Sequence, residues 1–527
     1  MLAADDHEPV ENNGAVPDEI SREVNPRVKD ALSKWMTDTG TTLDFDQWIT
    51  PGLSGALLAT VVLNSPGRAA HGVLMKVCPP GRMTGKEAER HAEALVAAPN
   101  FADHLVTQPV PPVTGKGGWV VMFQDVAGGS LRTIRPLSTM RSDLPKTTAT
   151  IVRSILSDWN PTARTTKQKP VPFFREHLGT RSEKGGPLDQ FAQKIMYTPS
   201  TGTALPLWVR VGTGDVVPNA VAWARSDAWL EDLGTEHLMV VVGCAHGDLH
   251  ADNVLVPQKP FPDPLSYRLI DLAAYNSNAP LARDPSHLLL SILVNEVAEL
   301  TEIKRQAVSE FLIDPSSSGS EHLLVAGVLS LAKSIREVGE GFASELGLLD
   351  HWQDQTLVSL AANALLFAIR LTDPSMQQWC LELSCTALGR FCARRDVASP
   401  AQAPLARITG TQGPIAVDTA RALEDLAAAC DDWAATRTTI LVLDSSGLTP
   451  EARAKISALH WKVVVDLNPS TNVDGGWACA ACVPGDRRLF TNDQTPFFGR
   501  SSTVWLAGAG LSDADQVGPD QDLRQCR

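Results

Sequence analysis

The sequence predicts an α+β fold with an additional α/β segment toward its C-terminal end, and three observations carry that reading. Short apolar runs interrupted by glycines crowd Trp48 to Phe123, helical periodicity dominates Leu288 to Arg394, and a strand, helix, strand order returns over Thr438 to Leu467. At 527 residues the chain exceeds the size at which one core stops growing, so two or three packed units are expected. The units expected are a disordered, acidic polar tail over 1–25, a β-rich part over 26–131, an α-rich part with an insertion over 132–398 and a small α/β domain over 409–527. The Ala- and Pro-rich stretch Ser399 to Ile408 reads as a linker.

The most informative stretch is His246-Gly247-Asp248-Leu249-His250-Ala251-Asp252-Asn253, followed by Val254-Leu255-Val256 and then Leu269-Ile270-Asp271-Leu272. Phosphoryl transfer to a hydroxyl needs an Asp that orients or deprotonates the attacking group. It also needs an Asn five residues later on magnesium, and a second Asp holding magnesium against the phosphates. Asp248, Asn253 and Asp271 follow that order. Val254 to Val256 and Tyr267 to Ile270 read as strands joined by the Pro-rich segment Pro257 to Ser266, and such a hairpin carries Asn253 and Asp271 to the same end.

Gly247, where protein kinases place an arginine, and His250, two residues after the first Asp, resemble the aminoglycoside phosphotransferase and choline kinase group. The resemblance implies a bilobal protein-kinase-like fold with ATP and Mg2+ as cofactors, Asp248 as the catalytic base and Asn253 and Asp271 as metal-holding residues. The sequence departs from the pattern in having Leu272-Ala273, without a glycine, after Asp271, and in the long connection between the two aspartates.

The same resemblance requires an upstream nucleotide-binding lobe, and Trp48 to Leu131 offers its parts in order. Ile49 to Gly55 breaks a strand with Gly52 and Gly55 around Ser54, small residues that let backbone N–H groups approach phosphate oxygens. In Gly72 to Val77, Lys76 is the single charge on an apolar strand and needs an anionic partner to be buried, which points it at the α- and β-phosphates. The helix Lys86 to Ala98 sets Ala88, Ala92, Leu95 and Val96 at helical spacing, flanked by Glu89 and Glu93; one of these two is expected to pair with Lys76. Gly118 to Phe123 reads as a buried strand. Gln124 to Leu131 reads as the connection to the second lobe, where the backbone around Gln124 and Val126 would hold the adenine.

Between that connection and the catalytic stretch, Arg132 to Cys244 is longer than two helices need. By resemblance, Asp227 to Gly234 and the segments around Trp208 and Trp223 line an acceptor pocket; packing between elements is the equally open alternative. Asp284, at the opening of the apolar run Leu288 to Val294, stands near a helix start where it can cap free N–H groups, and the resemblance implies that it supports the catalytic loop.

Other features narrow the field. A net charge of −14 and a pI near 5.3 argue against a nucleic-acid or anionic-membrane partner. Nine cysteines are too few and irregular for a disulfide framework, and Cys479-Ala480-Ala481-Cys482 supplies two metal ligands where zinc needs four. The N-terminal stretch has no basic start followed by an apolar core, the longest apolar candidate span, Thr356 to Ile369, is too short to cross a membrane, and no Walker-type phosphate loop is present. These features fit a cytoplasmic protein. The C-terminal segment distantly resembles the α/β pieces of bacterial signalling and conflict proteins; Asp444, Asp466 and Asp474 lie at or soon after its strand ends without defining a site.

Two functions follow. The first is a phosphotransferase acting on a hydroxyl-bearing acceptor, expected to be a small molecule. The alternative is a kinase-like nucleotide-binding module that signals through a protein partner held by the C-terminal domain. The intact Asp248, Asn253 and Asp271 set favours the first.

Overall fold

The computed structural model describes residues 14–49, 56–81, 86–125, 134–140, 143–198, 205–211, 215–229, 237–258, 262–315 and 324–408, together with the strands 438–443, 463–466, 477–479 and 502–507. Gly52, Ser54, Gly55, Val126 and the helix expected over Thr449 to Leu459 lie outside them. The fold is α+β, a β-sheet N-terminal region followed by a helical part. Its contacts divide it into two units interleaved in sequence, one from 1–173, 235–293 and 326–363, the other from 174–234, 294–325 and 364–527.

The first unit opens with helices α1 (Asp18–Glu23) and α2 (Pro26–Thr39). Asn25 caps α2 by accepting from the Arg27 N–H, Pro26 occupies the first turn where its missing N–H costs nothing, and Gly40 ends the helix at φ 65°. Val28, Leu32 and Met36 fall one helical turn apart and face a five-stranded antiparallel sheet. Its strands are β1 (Thr42–Ile49), β2 (Leu57–Asn64), β3 (His71–Cys78), β4 (Val113–Thr114) and β5 (Val120–Asp125), in the order β1-β2-β3-β5-β4. Val16, Ile20 and Val24 share this core with Val61, Val73, Met75 and Phe123, and Trp35 stacks on Phe123 at 5.1 Å. The expectation of a disordered tail through residue 25 is therefore corrected for residues 14–25. Three apolar residues spaced by four, among acidic ones, are enough to bury that segment on the sheet.

Helix α3 (Glu87–Ala97) lies between β3 and β4 in sequence. Further along the unit, strand Leu238–Ala245 pairs with Arg164–Gln168 along its first half and with Asn276–Pro280 along its second. Where the second neighbour has not yet begun, the buried Gln355 side chain takes its place, accepting from the Val241 N–H at 3.0 Å and donating to the Met239 carbonyl at 2.7 Å. The hairpin Val254–Pro257 with Arg268–Leu269 is antiparallel, and Ile134–Pro136 flanks its other side.

In the second unit, strands Ile195–Thr198, Trp208–Val211, Asp215–Pro218 and Leu405–Ile408 form one sheet, with Leu405–Ile408 between two of the others. This corrects the reading of 399–408 as a linker throughout. Ala406 and Ile408 are buried on one face, and the Arg210 N–H donates to the Pro404 carbonyl. Trp223 and Trp229 are fully buried, with Phe174, Phe391 and Trp208 around them. The aromatic segments thus pack a core, as the second of the two sequence alternatives holds. Strands Thr438–Leu443, Val463–Asp466, Trp477–Cys479 and Ser502–Ala507 form a separate, all-parallel sheet in which Thr438–Leu443 pairs with Val463–Asp466 on one side and Ser502–Ala507 on the other. Among the described residues, no helix is long and apolar enough to cross a membrane.

Candidate active site

Lys76 points from β3 into the interior of the first unit, only 6% exposed. Its Nζ lies 2.6 Å from Glu87 Oε2 and 3.3 Å from Asp271 Oδ1. Burial alone pulls an ammonium pKa down, but the two carboxylates outweigh it and hold Lys76 above the ordinary lysine value, so it stays charged. Gln124 on β5 donates from Nε2 to the other oxygen of Glu87 at 3.2 Å. A residue expected near the adenine thus has its side chain committed to holding the ion pair in place.

The partner of Lys76 is Glu87, and the expectation of Glu89 or Glu93 is corrected. Both of those are exposed, and Glu93 pairs with Arg90. The buried face of α3 is Glu87, His91 and Ala94, one position out of phase with the apolar stripe read from sequence, and Val96 is 83% exposed. Polar side chains win that face because each is satisfied there, Glu87 by Lys76 and His91 by the Val106 carbonyl. Val106 in turn donates its N–H to the Leu269 carbonyl at 3.3 Å, so α3 is tied to the strand that leads to Asp271.

The catalytic stretch leaves strand Leu238–Ala245 through His246, which is fully buried. Its Nε2 lies 2.8 Å from the Ile270 carbonyl and its Nδ1 accepts from the Asp248 N–H at 3.4 Å. Gly247 sits at φ 81°, and a Cβ there would come within 2.2 Å of the Ala274 carbonyl oxygen. No side chain, and so no arginine, fits at that position without displacing the backbone. Asp284, 1% exposed, accepts from the His246 N–H at 2.6 Å and from the Gly247 N–H at 3.0 Å. Burial raises its pKa, partly offset by the Arg283 guanidinium and these two bonds.

Asn253 donates from Nδ2 to the Asp248 carbonyl at 3.0 Å, leaving its amide oxygen as an acceptor. The Ile270 N–H donates to the Asn253 carbonyl at 3.1 Å, so the hairpin sets Asn253 and Asp271 at one end. Asp271 adopts the left-handed conformation at φ 60° and ψ 59°, an uncommon state for a residue with a side chain. The carboxylates of Asp248 and Asp271 are about one-third exposed, at 35% and 34%, whereas Lys76, Glu87 and Asn253 are buried. The two carboxylates are open to solvent and the side chains around them are not. His287, Ser291 and Glu87 also belong to the site, and sequence reading missed all three; a phase shift of one residue in α3 would have found the last.

The donor chemistry fits magnesium. An amide oxygen and a carboxylate are hard ligands, and Mg2+ completes its shell with phosphates and water. Among the described residues no group of three or more His, Cys, Asp or Glu is arranged to cage a metal without such help.

No family model and no curated protein matches the chain. Solved structures do. A Plasmodium vivax ethanolamine kinase is similar at 10% identity over 72% of this chain and 87% of that one, with a TM-score of 0.31. A thermostable mutant of an aminoglycoside phosphotransferase is similar at 10% identity over 62% and 97%, with a TM-score of 0.29. A glucosamine kinase is similar at 14% identity over 66% and 80%, with a TM-score of 0.30.

Proposed function

We propose that the protein is an ATP- and Mg2+-dependent phosphotransferase that moves the γ-phosphate to a hydroxyl of a small molecule. The observation that carries this reading is the convergence of Lys76, Glu87 and Asp271 on one ion-paired cluster, with Asp271 and Asn253 at the same hairpin end and Asp248 hydrogen-bonded through its carbonyl to Asn253. Lys76 binds phosphate oxygens and fixes their position, and Glu87 with Gln124 fixes Lys76. Asn253 and Asp271 hold magnesium, which when bound offsets phosphate charge. Asp248 accepts the acceptor's proton as the hydroxyl oxygen forms its bond to the γ-phosphorus. The bond from that phosphorus to the β–γ bridging oxygen breaks, and the electron pair leaves with ADP.

A small-molecule acceptor is supported in this reading by Gly247 and His250, which resemble the aminoglycoside phosphotransferase and choline kinase group. Among the described residues Cys78, Cys244, Cys380, Cys385 and Cys392 are buried free thiols, which suits a reducing cytoplasm.

The test is magnesium-dependent consumption of ATP across hydroxyl-bearing metabolites, antibiotics and protein fractions, with Asp248→Asn and Asp271→Asn beside the wild type. Asp248→Asn is expected to bind nucleotide as the wild type does and to lose turnover by at least about 100-fold. Asp271→Asn is expected to weaken nucleotide binding only when magnesium is present. Nucleotide affinity identical with and without magnesium would defeat the reading.

A further inference from the structure

The helix Arg283–Ala298 meets the catalytic stretch with residues at positions 284, 287 and 291, a spacing that puts all three on one helical face. Asp284 takes the His246 and Gly247 amides, as described. Ser291 accepts from the Ala251 N–H at 3.0 Å and donates to its own helix at Leu288. Between them His287, 1% exposed, sets its Nε2 3.7 Å from Asp248 Oδ1. Two of the three residues hold the backbone of the loop on either side of Asp248. The third meets the Asp248 carboxylate itself.

We propose that His287 is a positioning residue for Asp248: its ring fixes the carboxylate rotamer from behind, so that the other oxygen faces the acceptor hydroxyl. The inference rests on the reading of Asp248 as the proton acceptor. A carboxylate on two rotatable bonds and one-third exposed samples several orientations, while proton transfer requires one. Neither neighbouring anchor restricts that side chain, because Asp284 and Ser291 bond only to main-chain amides. A buried ring at ion-pair distance from one oxygen restrains that side chain directly. The separation is just beyond hydrogen-bonding range, and bonds of this kind shorten as a site tightens around its reactants. A buried histidine in the core of a helix bundle would serve packing equally well in a protein without chemistry. The placement opposite Oδ1 of one particular aspartate is what distinguishes a positioning role.

Two measurements test the proposal on the full chain. The first needs no turnover: in protein with 15N-labelled histidine, the His287 Nε2 resonance, assigned through His287→Gln, is expected to move in Asp248→Asn and to stay put in Asp252→Asn. An unmoved resonance overturns the proposal. The second is a double-mutant cycle on magnesium-dependent ATP turnover, with water or the best metabolite as acceptor. His287→Ala is expected to lower kcat roughly 10- to 100-fold, with the affinity for a fluorescent ATP analogue within twofold of wild type, and His287→Gln to recover part of the loss. In the Asp248→Asn background, His287→Ala should change turnover by less than about twofold. Independent, multiplicative losses would show that His287 does not act through Asp248. If Asp248→Asn keeps wild-type turnover, the proton-acceptor reading has failed first and the positioning role falls with it. Where His287→Ala does not fold, His287→Gln carries the cycle.

Discussion

His246 Nε2 and the Ile270 carbonyl oxygen lie 2.8 Å apart, and this bond joins the loop that carries Asp248 to the strand end that carries Asp271. His246→Phe keeps the ring volume and removes both bonds of the imidazole, leaving the Ile270 carbonyl without that donor. The expected cost is about 1–3 kcal/mol, read as a lower urea midpoint at unchanged slope. Turnover should fall further than stability accounts for, since the two aspartates lose their common reference.

Lys76 and Glu87 are both buried, so removing either strands the other. Lys76→Ala is expected to lose turnover by orders of magnitude and also to cost roughly 3 kcal/mol, because Glu87 loses its counter-ion and hydrogen-bond donor in a dry site. Lys76→Arg should not rescue activity, since a planar fork does not replace a compact ammonium. Replacing the pair together, as Lys76→Met with Glu87→Leu, should leave stability within about 1 kcal/mol of wild type and activity absent. Melting curves alongside turnover separate the two effects.

Gly247→Ala is the smallest change at the loop and is expected to be severe for its size. The new Cβ would meet the Ala274 oxygen at 2.2 Å on a backbone at φ 81°. A loss of at least about 2 kcal/mol in urea unfolding is expected, from the unfavourable φ and the contact together. An unchanged midpoint would mean that the 246–248 backbone takes another path.

The buried Asp284 gives stability a pH dependence of definite sign. Its pKa is raised in the folded state, chiefly by burial, so protonation favours folding there. That contribution is full below the unfolded aspartate value near 4 and is lost as pH rises through the folded value. Compared with Asp284→Asn, the wild type should therefore lose relative stability as pH climbs from about 4 toward neutrality. Unfolding free energies for the two proteins at a series of pH values give the difference directly.

A chain ending at residue 410 should keep the second unit's sheet, whereas one ending at 398 should lose it. Leu405–Ile408 stands between two other strands, with Ala406 and Ile408 buried, and its removal cuts Ile195–Thr198 off from the rest of the sheet and leaves Trp208–Val211 paired on one side only, with Asp215–Pro218. Limited proteolysis and far-UV circular dichroism of the two truncations decide the point.

The elements that were legible in the sequence were those whose local pattern and burial agree. The strands around Lys76, the hairpin after Asn253 and the parallel pair at Thr438 and Val463 all carry unbroken apolar runs, and each forms as expected. The placement of Asp284 against the loop was implied by the resemblance to the aminoglycoside phosphotransferase and choline kinase group. The failures share a cause. Glu87 and His91 look like a solvated face because their partners, Lys76 and the Val106 carbonyl, come from elsewhere in the chain. The segment around Ile20 was too short to show periodicity, and the strand at Leu405 followed a Pro-rich stretch whose composition masked it. Long-range satisfaction of polar groups leaves no local trace in a sequence.

The way the catalytic loop is held has a consequence for how this site can change. Its anchors, Asp284 and Ser291, grip main-chain amides at 246, 247 and 251, and such amides exist whatever side chains the loop carries. The shape of the loop is therefore written largely outside it, in the helix Arg283–Ala298. Substitutions at exposed loop positions such as Asp252 could accumulate and retune the acceptor side while the spacing of Asp248, Asn253 and Asp271 persists. Transplanting the loop into another scaffold would fail unless that helix travelled with it.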